Sequence, residues 1–292
     1  MSSFSISRIL LVFGLLSLSS IAFCQTLQYK TLQVSPYQDT LAYGVNNLGD
    51  IVGTYSPNGF GSGFLYSNGS LQTTLNCSGG DNTYAAGIND NGVIVGGCAT
   101  PTKAIGLIYQ NGAYTYVTYP NSEITWLAGI NNKGEIVGFA YLGPKLVQRA
   151  FVYFNGTFTL LPSSVQAATG INNKGTIAGY SCNSHQVCSG VLLTKGTKGW
   201  HVQQTVVYPG VANTYLNAIN DNGDLAGQWT SGPNVPQQAF VYVKRSNKFV
   251  GLNFNNNHNF AIAGGINNSG EIVGAYSAAN GGAINGFYGT LQ

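Results

Sequence analysis

The 292-residue sequence predicts an all-β protein in which six similar antiparallel units close into a ring. Three observations predict it: a ten-residue phrase that returns six times, short apolar segments at fixed offsets from each copy, and a chain that starts with a spare strand and stops one strand short. The phrase occupies Gly44 to Gly53, Gly87 to Gly96, Gly129 to Gly138, Gly170 to Gly179, Ala218 to Gly227 and Gly265 to Gly274. Its copies begin 43, 42, 41, 48 and 47 residues apart. Short strands repeating at this period are the spacing of propeller blades, so the fold expected is a six-bladed β-propeller of four-stranded antiparallel blades.

Each strand of the unit has a local reason. The centre of the phrase, Asn-Asn-x-Gly or Asn-Asp-x-Gly between apolar residues, is a hairpin turn, because Asn and Asp bond their own backbone and Gly takes positive φ. The strand before it ends in small residues, as in Ala85-Ala86-Gly87, which suits the innermost position where blades converge. The strand after it carries Ile-Val-Gly or a near variant. Its closing glycine (Gly53, Gly96, Gly138, Gly179, Gly227, Gly274) is expected at a bulge or a close approach between blades. A third strand holds Phe64-Leu65-Tyr66 and its counterparts; a second turn such as Asn68-Gly69 leads to a fourth strand, in which Trp200 is an edge residue. The sixth unit ends at Gln292 without a fourth strand, while Leu27 to Pro36 precedes the first unit. That segment should complete the last blade and cover its open edge.

Residues 1–24 read as a secretory signal peptide: Arg8, an apolar run from Ile9 to Leu18, and small residues before Ala22 and Cys24. Cleavage after Ala22 or after Cys24 both fit, and Cys24 raises lipid attachment as an alternative. Residues 25–292 form the propeller. An exported chain with Cys77, Cys98, Cys182 and Cys188 left is expected to pair them; proximity favours Cys77–Cys98 and Cys182–Cys188. A zinc site would need a denser Cys/His cluster than His185 supplies. No motif calls for a metal or a cofactor.

The phrases resemble the HAF repeat proteins of bacteria, a family that pairs a Gly-Ile-Asn-x-x-Gly-x-x-x-Gly phrase with a His-Ala-Phe tripeptide on the next strand. The likeness runs from residue 27 to 292. The tripeptide survives as Arg149-Ala150-Phe151 and Gln238-Ala239-Phe240, and more loosely as Ser62-Gly63-Phe64 and Asn285-Gly286-Phe287; no copy keeps the His. The resemblance implies an exported repeat protein and no established activity.

Charged residues are only 7% of the chain and the formal net charge is +3. No basic stripe exists, which excludes the electrostatic footprint of a nucleic-acid binder, and no later run is long enough to span a membrane. A monomer is expected. Elbow, zincin and phosphate-loop motifs are missing. Six of the nine acids, Asp50, Asp90, Glu135, Asp221, Asp224 and Glu271, fall on the turn face and read as solvated turn charges. Asp39, Asp81 and Glu123 precede a phrase by five or six residues, on the long-loop face. They could cleave a glycoside, hold a cation, bond sugar hydroxyls or simply be solvated. Tyr84, Trp126 and Tyr215 stand three residues before a phrase, and Trp229 follows a second strand. Rings beside amides suit carbohydrate, and equally suit packing between blades. The function expected is a secreted or periplasmic, non-catalytic binding module for carbohydrate or an extracellular protein surface. The ligand-binding candidates are Trp126, Tyr84, Tyr215, Trp229, Asp39, Asp81 and Glu123. The alternatives are a carbohydrate-active enzyme, glycosidase or lyase, using the long-loop carboxylates, and a purely structural or adhesive surface protein.

Overall fold

A computed structural model describes residues 26–34, 39–56, 61–78, 82–232, 235–254, 260–277 and 282–292. The signal segment, Cys24 and Asp81 lie outside the described residues. The described chain holds β-strands and no helix. The first strand, β1 (Leu27–Leu32), stands apart from its sequence neighbours. The first blade follows as β2 (Thr40–Val45), β3 (Ile51–Tyr55), β4 (Ser62–Ser67) and β5 (Ser70–Leu75). The second is β6 (Asn82–Ile88), β7 (Ile94–Ala99), β8 (Ala104–Gln110) and β9 (Ala113–Val117), and the third β10 (Thr125–Ile130), β11 (Ile136–Leu142), β12 (Val147–Phe154) and β13 (Thr157–Leu160). The fourth is β14 (Ala167–Ile171), β15 (Ile177–Cys182), β16 (Cys188–Gly196) and β17 (Gly199–Val206), and the fifth β18 (Asn213–Ile219), β19 (Leu225–Thr230), β20 (Gln238–Val243) and β21 (Lys248–Gly251). The sixth takes β22 (Phe260–Ile266), β23 (Glu271–Ser277) and β24 (Ile284–Leu291), and its outer strand is β1.

The protein is therefore a six-bladed β-propeller of four-stranded antiparallel blades, and the N-terminal strand closes the ring. Strand β1 pairs with β24 from Leu27↔Leu291 to Leu32↔Gly286. Beyond the strand ends, Thr26 and Gln292 exchange two backbone hydrogen bonds of 3.0 Å.

The repeated glycines answer to a bulge. In all six blades the inner strand skips one residue against its neighbour: Tyr43, Ala86, Ala128, Thr169, Asn217 or Gly264. The bulge pushes a carbonyl toward the second strand, where a Cβ on Gly96 would collide with the Tyr84 oxygen. In three blades a Phe of the third strand also lies against that glycine: Phe64 on Gly53, Phe240 on Gly227 and Phe287 on Gly274. Those rings, with Phe151, are completely buried. The residue before each Phe is glycine or alanine because the neighbouring strands leave little room, and Gly190 holds the same position before Val191 in the fourth blade. A Cβ on Gly190 would stand 2.7 Å from Leu216 of the next blade. In Arg149-Ala150-Phe151 and Gln238-Ala239-Phe240 the second and third positions are thus the ones that packing constrains.

Apolar burial is divided into seven clusters, one between each pair of neighbouring blades and a small seventh of Cys77, Cys98 and Leu107. Each blade presents its inner and second strands to the next, so no blade has a complete core alone. Threonines at the start of the inner strand add a fixed link. Thr83, Thr125 and Thr214 accept, through Oγ1, the backbone N–H of Cys77, Tyr119 and Tyr208, each six residues earlier (2.8–2.9 Å). The disulfides are Cys77–Cys98, from the end of the first blade to the second strand of the next, and Cys182–Cys188, across the β15–β16 hairpin.

The turn face carries two closed rings of hydrogen bonds. Asn46 donates from Nδ2 to the carbonyl of Asn89 (3.2 Å), Asn89 to Asn131 (3.0 Å) and Asn131 to Asn172 (3.2 Å). Asn172 donates to Asn220 (3.0 Å), Asn220 to Asn267 (2.9 Å), and Asn267 back to Asn46 (3.0 Å). The Oδ1 of the same side chain accepts backbone N–H groups of its own turn, as Asn46 does from Leu48 and Asp50. One side chain therefore shapes its turn and bonds the next blade. The following residue makes the second ring: the backbone N–H groups of Asn47, Asp90, Asn132, Asn173, Asp221 and Asn268 each donate to the side-chain oxygen of the next blade's member (2.7–2.9 Å).

Deleting residues 26–32 should expose β24 as an unpaired edge, read as oligomers in light scattering; a monodisperse, undiminished product would contradict the closure. Asn131→Ala removes a buried donor and acceptor and strands the Asn172 carbonyl and two turn N–H groups. It should cost about 2–4 kcal/mol in urea unfolding, against about 1 kcal/mol or less for a surface change such as Lys133→Ala.

Candidate functional site

The six inner strands enclose a central cavity of about 430 Å³, open along the ring axis. Its waist is a collar of Val45, Ile88, Ile130, Ile171, Ile219 and Ile266, and its turn-face end is the second hydrogen-bond ring. Strand alternation brings every second residue of the inner strand to the channel, so the bulged position and, beyond it, the position three before the phrase (Tyr84, Trp126 and Ile262) form the mouth on the long-loop face.

The mouth is chemically divided. Tyr43, Tyr84, Trp126 and Phe139 supply aromatic rings from the first three blades, and Thr169, Asn217 and Gln228 supply polar groups from the fourth and fifth. Tyr84 and Trp126 are in contact, with ring centroids 5.1 Å apart. The Trp126 ring lies against the bare backbone of Gly97, where a Cβ would stand 2.9 Å from it. On the polar side, Asn217 donates from Nδ2 to Gln228 Oε1 (2.7 Å) and to the Ala263 carbonyl (2.9 Å). That bond fixes the Gln228 amide and leaves its Nε2 and the Asn217 Oδ1 without a partner among the described residues. Burial pushes the Tyr43 phenol well above its ordinary range, and the neighbouring Tyr84 adds to the shift. Tyr43 is therefore a neutral hydroxyl throughout the working pH range.

The other expected site residues are placed as follows. Tyr215 sits at the mouth tier by register, paired with Gln228, but its ring meets Tyr180 edge-on at 5.2 Å. Trp229 is stacked on Tyr208 (5.3 Å, 20°) beside the cluster between the fourth and fifth blades. Asp39 accepts the Ile284 N–H on Oδ1 (2.7 Å), tying the first blade to the last. Glu123 is exposed and 3.9 Å from the Lys103 ammonium. Neither Asp39 nor Glu123 lines the cavity. Tyr43, Thr169, Asn217 and Gln228 were not anticipated. The signal was available: the residue just before an almost invariant phrase changes in nearly every copy.

The turn-face acids are bonded, not merely solvated. Asp90 accepts Asn47 Nδ2 (2.8 Å) and Asn132 Nδ2 (2.6 Å) on one oxygen and the Asn47 N–H on the other (2.8 Å). Asp221, three blades away, holds Asn173 and Asn268 in the same way. Asp50, Glu135, Asp224 and Glu271 each accept the Nδ2 of the ring Asn four residues earlier. Burial of Asp90 and Asp221 opposes ionisation, yet the amide and backbone donors outweigh it and hold both carboxyls below the usual range. Among the described residues, no group of three or more His, Cys, Asp or Glu side chains comes together to hold a metal. Nor is any helix there long and apolar enough to cross a membrane.

No family model matches the chain, and no curated protein matches it by sequence. Solved propellers do match in shape. A gluconolactonase of Xanthomonas campestris superposes with a TM-score of 0.56 at 10% identity, over 91% of this chain and 90% of its own. An oligogalacturonate lyase of Vibrio parahaemolyticus gives 0.50 at 10% identity, over 91% and 97%. TolB of Acinetobacter baumannii gives 0.50 at 13% identity, over 80% and 67%. At such identities the likeness is one of fold.

Because the folded-state pKa of Asp90 and Asp221 is depressed, their contribution to stability is complete above the ordinary Asp value of about 3.9 and is lost as pH falls through the lower folded value. The urea midpoint should hold across neutral and mildly acidic pH and drop below about pH 4. In Asp90→Asn/Asp221→Asn it should already be lower at neutral pH, because an NH₂ group then faces amide donors, and the acid step should shrink. An unchanged acid limb in that variant would remove these two carboxyls from the explanation.

Proposed function

We propose that this protein is a non-catalytic binding module of an extracytoplasmic compartment that takes a neutral carbohydrate end in the long-loop mouth of its channel. The observation that carries this reading is the divided mouth. Aromatic rings on one side face fixed amides and a hydroxyl on the other, and among the described residues no ionised group lies between them. A pyranose ring has the matching halves, an apolar C–H face for Tyr84 and Trp126 and a hydroxyl edge for Gln228 and Asn217. The cavity volume lies within the range of about 300–1,000 Å³ usual for small-ligand sites. Two disulfides fit an oxidising compartment, as do the signal-like residues 1–24 and the resemblance to exported HAF repeat proteins.

The enzyme alternative has less support. A glycosidase needs two carboxyls flanking the scissile bond, but of the three long-loop carboxylates Asp39 is committed to a backbone N–H, Glu123 stands outside the cavity beside Lys103, and Asp81 lies outside the described residues. The catalytic neighbours share the fold, and a propeller fold does not carry a chemistry with it.

A glycan array probed with the purified mature chain tests the reading. A neutral glycan should bind, and Trp126→Ala and Gln228→Ala should each weaken it by about tenfold or more, the cost of losing a ring or a fixed hydrogen bond. Melting temperatures should stay within a few degrees of the parent. Retained binding in both variants, or no glycan bound by a folded parent, sinks the assignment.

A further inference from the structure

The fourth blade differs from the others at its outer edge. Counted from the position of the buried third-strand residue, β16 runs five residues from Val191 to Gly196, whereas β4, β8, β12 and β20 run three from Phe64, Leu107, Phe151 and Phe240. A register shift between Leu192 and Leu193 lies within this hairpin, as one between Leu65 and Tyr66 does in the first blade, so the difference is length alone. The longer hairpin carries the directly paired Lys195 and Trp200 beyond the ends of its neighbours, over the third blade. The overhang leaves a cleft of about 330 Å³ between the two blades, separate from the channel and sharing no residue with it.

The walls of this cleft follow from strand register. Residues paired across antiparallel strands project from the same face. Val152↔Thr159 and Phe154↔Thr157 therefore form one flat wall on the third blade, with Glu135 beside them. Val152 is its buried floor, and Phe154 is 40% exposed. The opposite wall is Lys195 and Trp200. One side of the Trp200 indole is anchored on the core cluster of the third and fourth blades. Lys195 makes no ion pair among the described residues. Glu135 accepts Asn131 Nδ2 on one oxygen (2.7 Å), and its other oxygen has no hydrogen-bond partner among the described residues.

We propose that this cleft is a second carbohydrate site, independent of the channel mouth, which takes a neutral hexose unit of a glycan. The Trp200 indole is the platform for the apolar face of the sugar. The Thr157 and Thr159 hydroxyls and the free Glu135 oxygen accept from the sugar hydroxyls, and the Lys195 ammonium donates to them. One carboxylate and one ammonium cancel, so a neutral sugar leaves no unbalanced charge in the cleft, whereas a uronate or a sulfated sugar would add a net negative charge to it. The cleft opens at the outer rim of the turn face, away from the channel mouth. The two sites would therefore hold two points of an extended or branched glycan, or of two glycans, and raise the avidity for a glycan-coated surface.

The three tryptophans make the test specific, because Trp126, Trp200 and Trp229 give three indole N–H signals in a ¹H–¹⁵N correlation spectrum. Each is assigned by its Trp→Phe variant. The full mature chain is titrated with the methyl glycosides of glucose, galactose, mannose and N-acetylglucosamine. At least one should move the Trp200 signal saturably while Trp229 stays still, and the movement should persist in Trp126→Phe. Thr157→Val/Thr159→Val, which keeps Trp200 and the strand shape, should weaken that titration by about fivefold or more. If none of the four glycosides moves the Trp200 signal, the second site is overturned, whatever Trp126 does. Movement of Trp126 alone leaves the channel reading standing without it, and movement of Trp200 alone retains the cleft and removes the channel.

Discussion

Everything in this molecule depends on the buried asparagine at the third position of the phrase. A propeller blade is a poor folding unit by itself, since its apolar faces are covered only by its neighbours. Something must set the angle from one blade to the next, six times, so that the sixth meets the first. Asn46 and its five counterparts do so with one amide each. The oxygen gathers the N–H groups of its own turn, and the nitrogen reaches the carbonyl of the next turn. A local motif thereby becomes a circumferential one, and the bond from Asn267 to Asn46 is the same as the other five. Asp90 and Asp221 then lock the neighbouring column in two sets of three blades.

The glycines are the steric side of the same arrangement. Inner strands packed this closely leave little room at the first residue of the phrase: a Cβ on Gly44 would meet Ala86 and Gly87 of the next blade at 3.0–3.1 Å, and one on Gly129 would meet Gly170 at 3.0 Å. A phrase with glycine at both ends and asparagine near its start is thus a record of contact between blades as much as of a turn. Low charge fits too: six facing apolar surfaces and a ring of neutral amides leave few positions where an ion would be solvated.

Much of this was legible before any coordinates. The blade count, the closing strand and both disulfides follow from repeat spacing, the missing fourth strand and cysteine proximity. What was not legible has physical reasons. Asn46 reads as a turn former because its local bonds are a property of the residue type, whereas its bond to Asn89 exists only once the ring does. Trp229 reads as a mouth residue because it follows a second strand, but a strand turns adjacent residues to opposite faces. Gln228 takes the channel side and Trp229 the side that packs on Tyr208. Asp39 reads as a loop carboxylate, because its bond to Ile284 links residues 245 apart in the chain. The Lys195–Trp200 overhang depends on the extra length of the β16–β17 hairpin, which composition does not reveal.

The closing strand also sets the orientation of the whole particle. Thr26 and Gln292 are bonded to each other at the outer corner of the sixth blade, at the end of β24 that lies with the hairpin turns. Any attachment made through the residues ahead of Thr26, whether to a lipid, a surface or an engineered fusion, leaves the disc from its turn-face rim. The aromatic mouth opens on the opposite side. A tethered ring would stand with its rim toward the support and its axial opening toward the medium, like a dish held from beneath.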